Sequence, residues 1–306
     1  MFIGIEVGGT KVVMAAGTGP NDLTELVRFP TETPEATSAA IVRQVKQYLA
    51  LYPTIRGIGV ASFGPIQVDP AHPEFGVIYE TPKLHWRGFN IVQLLKAHFP
   101  DIPVALDTDV NGAAIGEAEW GGGRGLDTFA YVTVGTGIGA GLYVNGKPVH
   151  GLLHPEAGHM LIRREPGRDP FPGMCPFHGD CLEGLASGPS IEARTGQRGE
   201  HLPDDHDVWL LIGDYLAQLY VNMAMIAAPQ RILIGGGVGL KPEVIARSRA
   251  EFFRLVGGYL RALKQPESLQ AFIQPAQLGD RAGVLGAVGL AVRASPLTKA
   301  TQLEAQ

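Results

Sequence analysis

The chain has 306 residues, 45% of them hydrophobic, which is enough apolar material to fill two modest cores in a folded soluble protein. Its net charge of -5 and pI near 6.0 argue against an extended basic surface for nucleic acid and favour small-molecule chemistry. No charged-then-apolar leader opens the sequence, and the longest helical candidate carries Asp214, Gln218 and Asn222, so a cytoplasmic protein without membrane contact is expected.

In chain order, residues 2–7 and 12–16 read as a hairpin, 39–51 as an amphipathic helix, 57–62 as a buried strand and 104–106 as a strand entering a polar turn. The run 113–120 looks helical, 121–125 is a flexible break, and a second strand-turn-strand set begins at Phe129 and continues through 142–144 with an Asn145-Gly146 turn. A long helix at 209–228 leads into a strand at 231–234 and a glycine run at 235–237. A last helix over 283–292 is expected to pack back on the first lobe, followed by a polar tail after Ser295. The division predicted is an N-terminal α/β lobe over 1–112, joined by the C-terminal helix at about 283–295, and a second α/β lobe over 113–282.

Two segments share one design. FIGIEVGGTK (2–11) and FAYVTVGTGI (129–138) are each an alternating apolar strand running into glycines and a Thr. That composition lets backbone N–H groups turn inward around an anion. Either loop alone could also be a plain hairpin turn, since glycine is common at turns. Their repetition, with the third glycine run, points to a nucleotide held from two sides in a cleft between duplicated lobes. The Lys11 ammonium beside Gly8, Gly9 and Thr10 suits a polyphosphate, and Glu6 can order Mg²⁺ through water.

The turn Asp107-Thr108-Asp109-Val110-Asn111 follows a strand and opens a helix, where Asp and Asn often serve only as caps. Phosphoryl transfer to an alcohol needs a carboxylate within reach of the attacking hydroxyl, and Asp109 is the candidate base. Cys175, His178 and Cys181 supply three ligands at three-residue intervals. His159 is the best fourth, with His150 and His154 as competitors and two ordinary loop cysteines as the alternative. Four protein ligands leave no place for activated water, so the metal expected is a structural Zn²⁺ bracing the neighbouring loop.

Together, these loops, the Thr-Asp-Val-Asn turn, Glu156-Ala-Gly-His159 and the Cys/His segment resemble the ROK family of sugar kinases and repressors over nearly the whole chain. SFGPI (62–66), ETPK (80–83) with Trp86, HPEAGH (154–159) and the stretch from Cys175 to Pro189 are similar to bacterial fructokinases more than to glucokinases. The glucokinase zinc segment has three cysteines, and here a His replaces one.

The resemblance implies an α/β fold of the actin-like ATPase (ribonuclease H-like) type, duplicated into two lobes with a cleft between them. It also implies ATP- and Mg²⁺-dependent phosphorylation of D-fructose at the 6-hydroxyl. Asp109 takes the base role, and Gly64, Thr108, Glu156 and His159 line the sugar, His159 also ligating zinc with Cys175, His178 and Cys181. Gly9, Thr10, Lys11, Thr136 and Gly137 border the phosphates, and Gly188, Pro189, Gly236, Gly237, Val238, Gly239 and Leu240 the adenosine. Two positions depart from the common family pattern: Glu6 stands for an Asp, and Thr108 for the Asn before the base. The alternatives are a glucokinase, mannokinase or broad hexose kinase, and a non-catalytic sugar-sensing regulator. The expected partners are ATP, a hexose and a second copy of the chain in a homodimer.

Overall fold

One sheet plan is used twice in this chain. The structure is a computed structural model that describes residues 1–295, and the tail expected after Ser295 lies outside the described residues. The first sheet has the order β3-β2-β1-β4-β5 and the second β10-β9-β6-β7-β8. Read from the other edge, the second order repeats the first.

In the first sheet β1 (Phe2–Val7) and β2 (Lys11–Gly17) form the antiparallel hairpin read from the sequence, and β3 (Val27–Pro30) extends it. Helix α1 (Pro34–Leu51) starts five residues earlier than its periodicity indicates, because Thr33 accepts the amide of Ala36 and a proline opens its first turn. Strand β4 (Ile58–Ser62) pairs parallel with β1, α2 (Ile91–His98) follows, and β5 (Val104–Thr108) pairs parallel with β4. Helix α3 (Asp109–Trp120) leaves β5 without a break.

In the second sheet β6 (Phe129–Val134) and β7 (Ile138–Val144) form the corresponding hairpin, with β8 (Lys147–Pro148) at its edge. The helices α4 (Leu182–Ala186), α5 (Gly188–Thr195) and α6 (Val208–Ile226) precede β9 (Ile232–Gly235), which pairs parallel with β6. Then come α7 (Pro242–Val256), α8 (Ser268–Phe272), β10 (Ile273–Pro275) and α9 (Ala282–Ala294).

Two compact units result. Among the described residues the first comprises Met1–Arg124, Pro148–His154 and 277–295, and the second Gly125–Lys147 and Pro155–Ala276. The first therefore runs past the division expected at residue 112 and keeps all of α3. The reason is the packing of α3 on α9: a Cβ on Gly286 would lie 1.7 Å from the Gly112 carbonyl oxygen, so glycine alone permits this approach. Helix α9 lies as close to the sheet, where a Cβ on Gly59 would sit 1.8 Å from the Ala287 oxygen. Each unit has its own core, Ile3, Ile5, Met14, Ile41 and Ile58 in the first and Phe252, Trp209, Tyr220 and Ile234 in the second, all buried.

Candidate active site

The first glycine loop joins β1 to β2. Gly8 N–H donates to the Lys11 oxygen at 3.0 Å, and Thr31, past the end of β3, donates its hydroxyl to the Gly8 oxygen at 2.7 Å and its amide to the Thr10 oxygen at 3.0 Å. The loop is thus fixed from behind, and Thr10 and Lys11 are exposed in front. The amides of Gly9 and Thr10 donate to no group among the described residues, the arrangement an anion needs.

The second loop, between β6 and β7, is held in the same way. Gly135 N–H donates to the Gly137 oxygen at 2.9 Å, and Ile138 N–H to the Glu183 carboxylate at 2.9 Å. Thr136 is exposed at its tip. Gly188, at the start of α5 with Pro189 behind it, donates its amide to the Gly135 oxygen at 2.7 Å. The amides of Val238 and Gly239 both donate to the Val134 oxygen, at 3.0 and 3.1 Å, and Leu240 N–H closes on the Gly236 oxygen. Gly236 makes this turn at φ +81°, and a Cβ there would lie 2.3 Å from the Val134 oxygen. Within the second unit, Thr136, Gly137, Gly188, Pro189 and residues 236–240 therefore form one continuous backbone surface around the end of β6.

The carboxylates sit in the first unit where β5 becomes α3. The cap of α3 is Thr108, buried, whose hydroxyl oxygen accepts the Asn111 amide at 3.1 Å. The capping role weighed for Asp107 thus belongs to its neighbour. Asp107 is buried and accepts from Thr108 N–H and Asn111 Nδ2, both at 2.8 Å, with His150 Nε2 3.0 Å away. Asp109, the first residue of α3, is half-buried and accepts from Val110 N–H at 2.8 Å. Burial pushes its carboxyl up to about 6, against the pull of the backbone N–H groups. Glu6, at the end of β1, is pushed up to about 7 by burial and then by the negative charge of Asp109, with Lys11 opposing. Two carboxylates whose proton affinity is raised, Glu6 partly by the charge of Asp109, are a donor set that a divalent cation relieves.

His154 and His150, the competing fourth ligands, are engaged elsewhere. His154 is buried and its Nε2 accepts the Ile66 amide at 3.2 Å, while a Cβ on Gly64 would lie 3.2 Å from its ring. Gly64 precedes Pro65 through a cis peptide bond. Glu156, exposed, begins the single turn Ala157–His159, and this turn brings His159 to the Cys/His segment. Gly158 fits there because a Cβ would meet the Ile138 oxygen at 1.9 Å.

The ligand atoms of His159, Cys175, His178 and Cys181 lie within 4.8 Å of one another. His159 Nδ1 is 3.6 Å from both sulfurs, and His178 Nδ1 is 3.6 Å from Cys175 Sγ. A tetrahedron built with the usual zinc–sulfur and zinc–nitrogen bond lengths has S···N edges of about 3.6 Å, so the four side chains fit zinc. A tight turn sets this spacing, with Cys175 and Gly179 exchanging both backbone hydrogen bonds. Behind it, Asp169 accepts from Tyr215 at 2.7 Å and Arg194 at 3.1 Å, and Arg164 donates to Asp180 at 3.2 Å.

Three participants take roles that their place in the sequence does not specify. His150 follows a two-residue strand in an irregular stretch, Glu183 anchors the second loop from a five-residue helix, and Lys83 stands in a long excursion, with its Cε 3.8 Å from the Cβ position of Gly9. Beside Lys83 lies a cavity of about 540 Å³ that Glu32, Thr33, His85 and Trp86 also line.

The chain matches known proteins over nearly all of its length. The family model described as the ROK family matches residues 2–294. A fructokinase of Pediococcus pentosaceus is 40% identical over 292 residues, 95% of this chain and 98% of that protein. A fructokinase of Zymomonas mobilis is 40% identical over 293 residues, 95% and 96% of the two chains. Among solved structures, the ROK hexokinase from Thermus thermophilus superposes with a TM-score of 0.74 at 24% identity, covering 95% of this chain and 97% of that one.

Proposed function

This chain belongs to the ROK family, and on that premise we propose that it transfers the γ-phosphoryl group of ATP to the 6-hydroxyl of D-fructose. The observation that carries the proposal is the pairing, in one unit, of a glycine loop with open amides and a half-buried carboxylate whose proton affinity has been raised towards neutrality. Fructose is the sugar proposed because fructokinases match 95% of this chain at 40% identity.

Asp109 accepts the proton of the 6-hydroxyl as its oxygen attacks the γ-phosphorus, and the bond from that phosphorus to the β-phosphate bridging oxygen breaks to release ADP. Gly9, Thr10 and Lys11 on the first loop and Thr136 and Gly137 on the second receive phosphate oxygens, and Gly188, Pro189 and residues 236–240 border the adenosine. Magnesium bound with ATP neutralises phosphate charge, and Glu6 is the residue that would hold its water shell.

Gly64, Thr108, Glu156 and His159 hold the sugar, Thr108 with the capacity its capping bond leaves. His159 turns Nδ1 to the two sulfurs, which leaves Nε2 for a sugar hydroxyl. Zinc on His159, Cys175, His178 and Cys181 is structural, fixing that ring. No helix among the described residues is long and apolar enough to cross a membrane. From the likeness to the ROK sugar kinases we infer a cytoplasmic homodimer.

Turnover of fructose, glucose and mannose compared with ATP under one set of conditions tests the reading. Fructose should give the highest kcat/KM. A higher value with glucose or mannose would replace fructokinase by hexose kinase, and no turnover of any sugar would remove the kinase assignment.

A further inference from the structure

Between β4 and α2 the chain makes an excursion over residues 63–90 that contains no strand and only one short turn of helix, Leu84–Trp86. Loops this long in compact domains usually serve a purpose beyond connection. This one is fastened tightly. Trp86 is buried, donates Nε1–H to the Glu32 oxygen at 2.9 Å and packs edge-on against Phe63 and Phe89. Thr81 is buried and accepts the Lys83 amide at 3.3 Å, while Arg87 donates to the Thr81 oxygen at 3.1 Å. These bonds fix the backbone on both sides of Lys83.

The lysine so positioned is half-buried, with its Cε against Gly9 in the glycine loop of the same unit. No carboxylate pairs with its ammonium among the described residues, and the cavity beside it leaves that ammonium reachable. A half-buried, unpaired ammonium beside open amides has electrostatic use only for an anion at that loop. We propose that Lys83 is a second cation for the phosphoryl group in transfer, donating to an oxygen of the γ-phosphate held at the loop of Gly9 and Thr10. Lys11, exposed on the loop itself, neutralises the nucleotide in its bound state. Lys83, fixed by the excursion, meets the charge that develops during transfer. The proposal rests on the kinase reading above.

Lys83→Met and Lys83→Gln test it, with Lys83→Arg as the conservative variant and Lys46→Met, an exposed lysine on α1, as the charge-matched control. The two neutral variants should keep the wild-type melting temperature and a fructose KM within about twofold, while kcat falls about a hundredfold, the scale for removing one preorganised donor. Affinity for the non-hydrolysable analogue AMPPNP should fall more than affinity for ADP, and Lys83→Arg should recover part of kcat. Lys46→Met should match wild type. Unchanged kcat in the neutral variants, equal losses for AMPPNP and ADP, or a loss confined to fructose binding would each overturn the assignment. A wild-type protein that neither binds AMPPNP nor phosphorylates fructose would instead remove the parent reading. An active wild type matched by Lys83→Met removes Lys83 alone.

Discussion

Replacing Asp109 by Asn should damage catalysis and strengthen the fold in one step. The isosteric amide keeps an oxygen for the Val110 amide and removes only the charge. Loss of the general base should lower turnover of fructose by at least about a hundredfold. Stability should move the other way. Burial raises the Asp109 carboxyl from its ordinary 3.8 to about 6, and at pH 7 that displacement corresponds to a ceiling of about 3 kcal/mol. Solvent access to a half-buried group brings the expected gain to about 1–3 kcal/mol. Relief of Glu6, which feels the same charge, adds to it.

The folded chain holds the Asp109 proton more tightly than the unfolded chain does. Wild-type stability therefore falls as pH rises from about 4 through about 6, and the Asn variant lacks that fall. Denaturant unfolding of both proteins at pH 4, 5, 6 and 7 should show midpoints that coincide at the acid end and separate in favour of the variant towards neutrality. Wild-type kcat should lose activity through an acid limb near pH 6 as the base takes up its proton. A variant with normal turnover would refute the base assignment. A variant no more stable than wild type at pH 7 would refute the desolvation argument.

Purified protein should carry about one zinc per chain by elemental analysis, and Cys175→Ser or Cys181→Ser should lose both the metal and thermal stability, because a closed site contributes folding energy directly. His150→Ala should be costlier in acid than in base. Its hydrogen bond to Asp107 raises the imidazole's proton affinity, so the stabilisation is complete below about pH 6 and is lost as pH rises through the folded value; with a half-exposed ring the cost in denaturant melts should stay below about 1 kcal/mol. Gly236→Ala should destabilise the second unit by at least about 2 kcal/mol and raise KM for ATP more than KM for fructose, because the turn needs positive φ and has no room for a methyl group.

What could be read from the sequence was whatever local chemistry dictates. The alternation in 2–7 and 129–134 gave both central strands, and the glycines after them gave both loops, because strand period and turn composition are short-range signals. The Cys/His spacing pointed to a ligand cluster because a tight turn converts three-residue intervals into proximity. Edge strand β3 and strand β10 escaped, being four and three residues long with too few alternations to show a period. The extent of the first unit escaped for another reason. Whether α3 belongs before or after the division depends on Gly112 meeting Gly286, a contact across more than half the chain that no local pattern encodes. The same holds for His150, which matters only because the fold delivers it to Asp107.

The duplicated plan also bears on why the proposed chemistry falls in one unit. The sheets match strand for strand, but their hairpins do not match residue for residue. Val7 pairs with Val12 across four intervening residues, and Val134 pairs with Ile138 across three. The second loop is one residue shorter, and the position that Lys11 fills has no counterpart there. Glu6 is the next-to-last residue of its strand, and Thr133 takes that place in β6, so the carboxylate is missing from the second copy as well. What both copies keep is a glycine loop joining two antiparallel strands, a backbone able to turn its amides towards an anion. The first copy adds Glu6, Lys11 and, from the segments that follow, Lys83 and Asp109. Binding a phosphate needs only the shared backbone, whereas moving one needs charges placed against it, and every charged group assigned to the transfer lies in the copy with the longer loop.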